Sequence, residues 1–229
     1  MGGKVHNLTE LNPAEHLLQT VKGTYATILA DPPWQFQNRT GKVAPEHRRL
    51  LRYPTMELKE IMDLPVSRLA AAQSHLYLWV PNALIKEGLQ VMEAWGFTYK
   101  TNLVWYKIRK DGGPDGRGVG FYFRNVTELV LFGVRGGLRT LPPGRRQVNL
   151  IAARKREHSR KPDELYDIIE ACSPGPYLEL FARFHRPGWK QWGNEDVEEN
   201  SLCGVAKRQA HDKNQPRLFE APRGYRGMA

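Results

Sequence analysis

Tyr25-Ala26-Thr27-Ile28-Leu29-Ala30 and the next four residues, Asp31-Pro32-Pro33-Trp34, determine the fold class that the sequence predicts. The first six residues are apolar or β-branched for the most part, which predicts a buried strand. The two prolines cannot continue a hydrogen-bonded ladder, so we expect the strand to end at Asp31. Ligands of open α/β sheets bind beyond the carboxyl ends of the strands, and Asp31 is therefore predicted to lie where chemistry takes place.

Strand and helix patterns alternate along the rest of the chain. Further strands are predicted at residues 75–80, 98–107, 127–134 and 177–182. Helices are predicted at 57–64, from an N-cap at Asn82 to a stop at Gly96, and from Pro162 to Ser173. We expect an α/β protein whose mostly parallel sheet carries helices on both faces, with arginine-rich loops at 35–54 and 135–147.

Length and charge limit the class of protein. A chain of 229 residues suits one domain with tails, and we place a polar N-terminal segment at 1–22, a domain at 23–196 and a basic tail at 197–229. Lysines and arginines number 34 against 24 aspartates and glutamates, so the formal net charge is +10. This charge favours a polyanionic partner, nucleic acid before membrane, over a merely basic soluble enzyme.

Cysteine usage and hydropathy predict a cytoplasmic protein without a metal site. The two cysteines, Cys172 and Cys203, form neither a zinc pattern nor a disulfide framework. The first ten residues lack a secretory pattern, and no apolar run is near the roughly 18 residues of a membrane-spanning helix. His75 and His158 have no metal-ligand partners at a suitable spacing.

The residue types of Asp31-Pro32-Pro33-Trp34 suit a reaction at the exocyclic amine of adenine. That amine is a poor nucleophile because its lone pair is delocalised into the ring. A carboxylate and a backbone carbonyl that accept its hydrogens would draw the lone pair out of conjugation, and the prolines would hold such a carbonyl in place. Trp34 would offer a flat face for the base. The alternative is a strand-ending turn with a buried tryptophan.

Lys161 belongs to a second cluster, the basic run that precedes the helix predicted to begin at Pro162. Free backbone amides and the helix dipole attract anions there, and the ammonium group adds a full charge, so a carboxylate would suit the position. The alternative is a solvated basic turn before an amphipathic helix.

A third cluster follows the strand predicted at 177–182. Arg183 and His185 come first, and Asn194 with Glu195 could hold ribose hydroxyls and a purine edge. The alternative is a basic loop with a packed tryptophan, and the glycine-rich turn of ordinary dinucleotide folds is missing. Trp79 and Trp105 are candidates to flank a base, with core packing as the default for each.

With these residues in view, the chain resembles the MT-A70 family of adenine methyltransferases. The similarity covers roughly residues 25–196. It rests on Ala30-Asp31-Pro32-Pro33-Trp34, Tyr53-Pro54-Thr55-Met56, Leu76-Tyr77-Leu78-Trp79-Val80, Val104-Trp105-Tyr106-Lys107, Lys161-Pro162-Asp163-Glu164, Glu179-Leu180-Phe181-Ala182-Arg183 and Gly193-Asn194-Glu195. Because so many motifs occur in one order, the resemblance is specific.

The resemblance implies a Rossmann-like methyltransferase fold in permuted order, with the catalytic motif ahead of much of the cofactor site. It implies that S-adenosylmethionine is contacted by Asp31, Lys161, Arg183, His185 and Asn194, beside which we place Glu195. It implies that adenine is contacted by Pro32, Pro33, Trp34 and Tyr53, with Trp79 and Trp105 as further candidates.

We therefore expect a DNA adenine methyltransferase of the amino type, similar to bacterial or phage members of the family. Arginines in the loops at 39–52 and 135–156, Arg48 and Arg49 among them, are expected to hold phosphates. An RNA adenine methyltransferase has the same chemistry and stays an alternative. A silent nucleic-acid-binding partner subunit is the other alternative, against which the intact Asp31 motif argues. A homodimer or a partner subunit stays open.

Overall fold

The structure, a computed structural model, describes residues 12–35, 55–116, 122–156 and 160–193. Its centre is a seven-stranded sheet in the order β5-β3-β4-β2-β1-β6-β7. The strands are β1 (Tyr25–Ala30), β2 (Ala70–Val80), β3 (Thr98–Ile108), β4 (Thr127–Arg135), β5 (Leu150–Arg154), β6 (Tyr177–Leu180) and β7 (Trp189–Trp192). The α-helices are α1 (Pro13–Thr20), α2 (Leu58–Met62), α3 (Val66–Leu69), α4 (Ile85–Ala94) and α5 (Glu164–Cys172), and short 3-10 helices occupy Asn82–Leu84 and Pro142–Arg146.

The direction of β4 decides which loops lie near Asp31. β4 is antiparallel to both of its neighbours, β2 and β3, whereas every other neighbouring pair of strands is parallel. The mostly parallel sheet expected from the sequence is thus confirmed, with one reversed strand. The carboxyl ends of the other six strands form one edge of the sheet, to which the start of β4 also belongs. We call it the carboxyl edge.

The end of β4 lies at the opposite edge. Arg135 pairs with Ser74 near the start of β2, and its guanidinium donates to the carbonyl oxygen of Ser67 at 2.6 Å. The arginine-rich segment 136–149 therefore starts away from Asp31, and β5 leads back to the carboxyl edge, where Arg154 pairs with Ile108. The description of 135–156 as a loop is wrong on this point, because the segment includes a strand and spans both edges, whereas phosphate contacts of its arginines stay a prediction.

The core lies on both faces of the sheet because neighbouring residues of a strand point to opposite sides. Ile28 and Ala30 of β1 belong to a cluster that includes residues of α1 to α4, whereas Leu29 belongs to a second cluster with Leu165 and Ile169 of α5. The two clusters show that helices pack on both faces of the sheet, as predicted. α1 contributes the fully buried Leu17, and the domain boundaries proposed from the sequence stay predictions.

Several local predictions differ from the structure. Asn82 does not cap α4, because a 3-10 helix at Asn82–Leu84 comes first and Leu84 is the residue before α4, while the amide nitrogen of Asn82 donates to the hydroxyl of Thr127 at 3.0 Å. Two short strands, β5 and β7, were not predicted, since each has only four or five residues and lies in a basic context. Gly96 does end α4, with a φ of 82° that favours glycine. None of the described helices is both long and apolar enough to cross a membrane.

A buried hydrogen-bond network joins the end of α5 to β2. The hydroxyl of Ser173 lies 2.8 Å from Nδ1 of His75 and 2.8 Å from the hydroxyl of Tyr77, and all three residues are buried. Nε2 of His75 lies 3.2 Å from the carbonyl oxygen of Leu138. One arrangement satisfies every group: Tyr77 donates to Ser173, Ser173 to His75, and His75 to Leu138. Burial lowers the pKa of His75, which favours this neutral form. The network fixes α5, and with it the segment that carries Lys161.

We expect Ser173→Ala to destabilise the protein more than Ser74→Ala, although both serines are fully buried. Ser173→Ala leaves the hydroxyl of Tyr77 and Nδ1 of His75 without the partner they have in the wild type, whereas the hydroxyl of Ser74 donates to the carbonyl oxygen of Ala71. The difference in the free energy of unfolding should be about 1–3 kcal/mol. Urea denaturation followed by tryptophan fluorescence measures it, and equal values for the two variants would show that the network adds no stability.

Candidate active site

A cleft of about 240 Å³ opens at the carboxyl edge beside β1 and β6. Three segments form it: the end of β1, the residues that lead into α5, and the turn after β6. Its lining residues are Leu29, Asp31, Trp79, Arg160, Lys161, Pro162, Asp163, Leu165, Tyr166, Glu179, Phe181, Arg183, Phe184, His185, Arg186 and Pro187. Four residues predicted to bind the cofactor, Asp31, Lys161, Arg183 and His185, therefore share one cleft.

A row of ion-paired side chains with alternating charge extends from the cleft to β3. The ammonium group of Lys161 lies 3.4 Å from Oδ1 of Asp31 and 2.8 Å from Oε2 of Glu128. The other carboxylate oxygen of Glu128 accepts from Lys107 at 2.5 Å. Only about a quarter of the side chain is exposed in Asp31, Lys161 and Glu128, and 8% in Lys107. Charges this poorly hydrated are tolerated because each has an opposite partner. We call these four residues the charge cluster.

The cluster shifts the pKa of its members in different directions. Burial raises the pKa of Asp31, an effect that Lys161 and Arg183 oppose and Glu128 reinforces. Burial also acts to raise the pKa of Glu128, but Lys161 and Lys107 prevail and lower it to about 2. Burial acts to lower the pKa of Lys161, and the two carboxylates more than compensate, so it is raised. Lys161 and Glu128 thus stay ionised at neutral pH, and Asp31 is the acid in the cluster whose proton affinity is increased.

The prolines after β1 hold the backbone of the Asp31 motif in place. The carbonyl oxygen of Pro32 accepts from the amide of Trp34 at 2.8 Å, and that of Pro33 accepts from the amide of Met56 at 3.0 Å. A carbonyl oxygen has two lone pairs, so each can accept one more hydrogen bond. The motif therefore offers oriented carbonyl oxygens next to a carboxylate, as the sequence suggested.

The three tryptophans proposed to contact a base are all buried. Trp34 is 6% exposed and its indole nitrogen donates to the carbonyl oxygen of Trp79 at 2.9 Å. Trp105 is 3% exposed and donates to the carbonyl oxygen of Ala153. Trp79 reaches the cleft, but the ammonium group of Lys161 lies 4.7 Å from the centre of its ring. In this arrangement Trp34 and Trp105 are core residues, and their contact with a base stays a prediction.

The chain makes a tight turn after β6 that brings Arg183 and His185 to the cleft. Phe181 has a φ of 64°, which is rare for a bulky residue and marks a constrained turn. Gly193 packs against this turn so closely that a β-carbon there would lie 2.1 Å from the carbonyl oxygen of Ala182. Arg186 points to α5, where it pairs with Glu170 at 3.0 Å.

Some predicted site residues lie outside the described part of the chain, and some cleft residues were not predicted. Tyr53, Arg48, Arg49, Asn194 and Glu195 belong to the first group. Glu179 belongs to the second group, and Glu128, which contacts the cleft residue Lys161, was not predicted either. Glu179 sits in the cleft wall, where Tyr166 and Gln191 donate to its two oxygens, each at 2.7 Å. Both glutamates interrupt apolar strands, and this irregularity is the signal that could have identified them. No group of three or more His, Cys, Asp or Glu suited to a metal ion occurs among the described residues.

Comparison of the sequence with known proteins identifies one family. The sequence model of the MT-A70 family matches residues 25–195, from the start of β1 to just beyond β7. The chain belongs to the MT-A70 family. Members of this family are methyltransferases that use S-adenosylmethionine, so the resemblance seen in the sequence and the expected cofactor are both confirmed.

Individual MT-A70 relatives differ in how much of their length the chain covers. The Type II methyltransferase M.MunI of a Mycoplasma species is 31% identical over 217 residues, which is 87% of this chain and 89% of that protein. The N(6)-adenosine-methyltransferase MT-A70-like protein of Drosophila melanogaster is 32% identical over 77% of this chain, and the human catalytic subunit METTL3 is 29% identical over 77%. The chain spans only 28% and 29% of the length of these last two.

We expect Trp34→Ala to lower the free energy of unfolding by about 3–5 kcal/mol, as for other buried tryptophans. The matched control is Tyr122→Ala, because Tyr122 is 94% exposed and its truncation should change stability by less than about 0.5 kcal/mol. Thermal and urea denaturation measure both variants. A Trp34→Ala protein as stable as the wild type would place the indole outside the core and support its role as a base-stacking face.

We expect Glu128→Gln to move the acidic limb of the rate profile to lower pH. Glu128 raises the pKa of Asp31, and its removal also leaves Lys161 to pair with Asp31 alone, so both effects lower that pKa. Turnover at neutral pH should fall by about tenfold, the scale of one hydrogen bond to a charged group, because the tighter Lys161 pair competes for Asp31.

The measurement for this variant is the single-turnover rate of methyl transfer from pH 5 to 9, a range of about two units on either side of neutrality. Glu164→Gln is the control, since this carboxylate at the start of α5 is 51% exposed. An acidic limb that stays at the wild-type pH would show that Glu128 does not set the protonation of Asp31.

Proposed function

We propose that this chain is an S-adenosylmethionine-dependent methyltransferase that methylates the 6-amino group of adenine in DNA. The observation that carries the proposal is the position of Asp31: it follows β1 at the carboxyl edge, lines the cleft and is only 27% exposed. Its neighbours Pro32 and Pro33 add oriented carbonyl oxygens. The match to the MT-A70 family supports the same chemistry.

The cleft residues fit the cofactor. S-adenosylmethionine supplies, when bound, an electrophilic methyl group on a sulfonium, and it carries an ammonium, a carboxylate and ribose hydroxyls. Asp31 is a suitable acceptor for a cation, while Lys161 and Arg183 suit the carboxylate. An ammonium group has three donors, and Asp31 and Glu128 account for two of those of Lys161, so one can still reach a ligand. The exposed His185 and the half-buried Phe181 line the rest of the cleft.

Asp31 has one oxygen suited to the amine of adenine. Lys161 lies near Oδ1, and within the described part of the chain no hydrogen bond reaches Oδ2. Oδ2 and a proline carbonyl oxygen can accept the two amine hydrogens together. This would localise the nitrogen lone pair and orient it for in-line transfer, so that positioning and electrostatics supply most of the rate. The target base must leave a duplex for this contact, which costs a few kcal/mol.

DNA is proposed as the substrate because of the share of each relative's length that the chain covers. The Type II methyltransferase M.MunI matches over most of both chains, whereas the N(6)-adenosine methyltransferases match only in about a quarter of their length. Their names nevertheless support an RNA adenine methyltransferase as the second candidate. The retained Asp31 and its intact cluster argue against a silent partner subunit, since a subunit without activity needs no buried carboxylate.

One experiment separates these candidates. The purified chain is incubated with isotope-labelled S-adenosylmethionine and with DNA or RNA oligonucleotides of matched sequence, which are then digested to nucleosides for mass spectrometry. We expect the label in N6-methyl-2′-deoxyadenosine. Label only in the ribonucleoside would replace DNA by RNA as the substrate, and no label from any pool would favour the silent subunit.

We expect Asp31→Asn to reduce the single-turnover rate by at least about a hundredfold, the scale of one preorganised transition-state contact. The amide keeps the shape of the side chain but presents a donor where the adenine hydrogens need an acceptor. Affinity for the oligonucleotide should be nearly unchanged. Asp63→Asn is the control, because this aspartate is 60% exposed and, among the residues that the structure describes, pairs only with Lys59. A rate within a few-fold of wild type would refute the role of Asp31.

A further inference from the structure

A second concave surface lies at the carboxyl edge, beyond the charge cluster. It is an open groove of about 570 Å³ at the adjacent ends of β3 and β5, where Ile108 pairs with Arg154. Its lining residues are Ile108, Arg109, Lys110, Asp111, Arg154 and Lys155. We call it the basic groove. Four of its six residues are cationic, and it shares no lining residue with the cleft that holds Asp31.

The cations of the basic groove are only partly neutralised. Arg109 is paired with Asp111 at 2.7 Å, and Lys155 lies 3.9 Å from Asp115. Lys110 and Arg154 form no ion pair with any residue that the structure describes. Four cations thus face two carboxylates, which leaves a local charge of about +2 on an open surface. Phosphate groups are the natural partners of such a surface in a protein that acts on nucleic acid.

Two exposed aromatic residues lie in the connection between β3 and β4, which also supplies Arg109, Lys110 and Asp111 of the basic groove. Tyr122 is 94% exposed and Phe123 85%, and they precede Thr127, which pairs with Tyr106 near the end of β3. Neighbouring aromatic rings left in water in this way usually mark a contact surface. Five residues after Phe123 comes Glu128, which reaches Asp31 through Lys161. The aromatic pair therefore lies on the segment that leads into the charge cluster.

We propose that the basic groove and the aromatic pair bind a single-stranded stretch of nucleic acid next to the target adenine. Lys110 and Arg154 contact its phosphates, while Tyr122 and Phe123 stack on its bases. A positive groove combined with exposed rings is the usual means of binding single strands, because stacking needs bases that are not already paired and stacked. The inference rests on the proposed function, and it assigns the substrate strand a path along β3 and β5.

The arginine-rich segment after β4 provides an internal comparison. Arg145 and Arg146 are exposed and equally cationic, but they lie in the segment 136–149 that connects β4 to β5 at the opposite edge of the sheet. The double variants Lys110→Ala/Arg154→Ala and Arg145→Ala/Arg146→Ala therefore remove the same charge from the two edges. Non-specific attraction by net charge would affect both equally, whereas the proposed path involves only the first.

Binding of a labelled single-stranded oligodeoxynucleotide of about 15 nucleotides, followed by fluorescence anisotropy at several salt concentrations, tests the groove. Lys110→Ala/Arg154→Ala should weaken binding at least about tenfold. It should also reduce the log–log salt slope by about 1.4, since each phosphate contact with a single strand contributes about 0.7. Arg145→Ala/Arg146→Ala should stay within about twofold of wild type. Equal effects of the two double variants would overturn the proposal.

The aromatic pair is tested with probes that differ in their bases. Tyr122→Ala/Phe123→Ala should weaken single-strand binding at least about tenfold, and Tyr122→Trp/Phe123→Trp should retain it, because stacking requires only a flat ring. Heparin, a polyanion without bases, should bind the wild type and both variants equally. Loss of heparin binding in the alanine variant, or an unchanged affinity for the oligonucleotide, would overturn the stacking role. Single-stranded RNA of the same sequence shows which sugar the path prefers.

Methyl transfer separates this inference from the proposed function. With saturating cofactor, Lys110→Ala/Arg154→Ala should raise KM for the oligonucleotide about tenfold and leave kcat within about twofold, because the groove binds the strand without touching the reacting atoms. If the wild type methylates adenine and the variant has an unchanged KM, the path is wrong and the function stands. If the wild type binds the strand as described but transfers no methyl group, the function is wrong and the path stands.

Discussion

The ammonium group of Lys161, held between the carboxylates of Asp31 and Glu128, is the contact on which the candidate active site depends. It joins three parts of the chain that are far apart in sequence: the end of β1, the start of β4 and the residues before α5. Each of these charges has lost most of its water, and none would be tolerated there without its partners. These ion pairs therefore hold the three parts of the chain in place. They also shift the pKa of Asp31.

The reversed direction of β4 makes this cluster possible. A strand parallel to its neighbours would begin at the far edge of the sheet, and Glu128, its second residue, would lie far from Asp31. Because β4 is antiparallel, it starts at the carboxyl edge and brings both Glu128 and the aromatic pair before it to the side where ligands bind. The same reversal carries the arginines after β4 to the opposite edge. The direction of β4 thus places two basic segments of similar composition at opposite edges of the sheet.

Burial of the tryptophans shows how the core supports the site. Trp34, Trp95 and Trp105 each donate the indole hydrogen to a backbone carbonyl oxygen, which satisfies a polar group that burial would otherwise leave without a partner. The bond from Trp34 ends on Trp79, whose ring lies under Lys161. Trp34 therefore supports the lining of the cleft through Trp79 in this structure, and its own contact with a base stays a prediction.

The sequence by itself determined the elements with strong local patterns and the residues with distinctive chemistry. The strand at 25–30 and its stop at Asp31, the long strands β2 to β4, and the helix that ends at Gly96 follow from apolar runs, prolines and glycine, which act through neighbouring residues only. The resemblance of the sequence motifs to the MT-A70 family implied that Asp31, Lys161, Arg183 and His185 contact one cofactor.

Only the tertiary structure decided the direction of β4, the partners of Lys161, the burial of Trp34 and the path of the arginine segments. Local patterns state that a residue is in a strand and do not state which way that strand runs or what lies beside it, because these depend on contacts between residues distant in sequence. Glu128 is the clearest case. Its part in the charge cluster comes from the ion pairs with Lys107 and Lys161, which are 21 and 33 residues away along the chain.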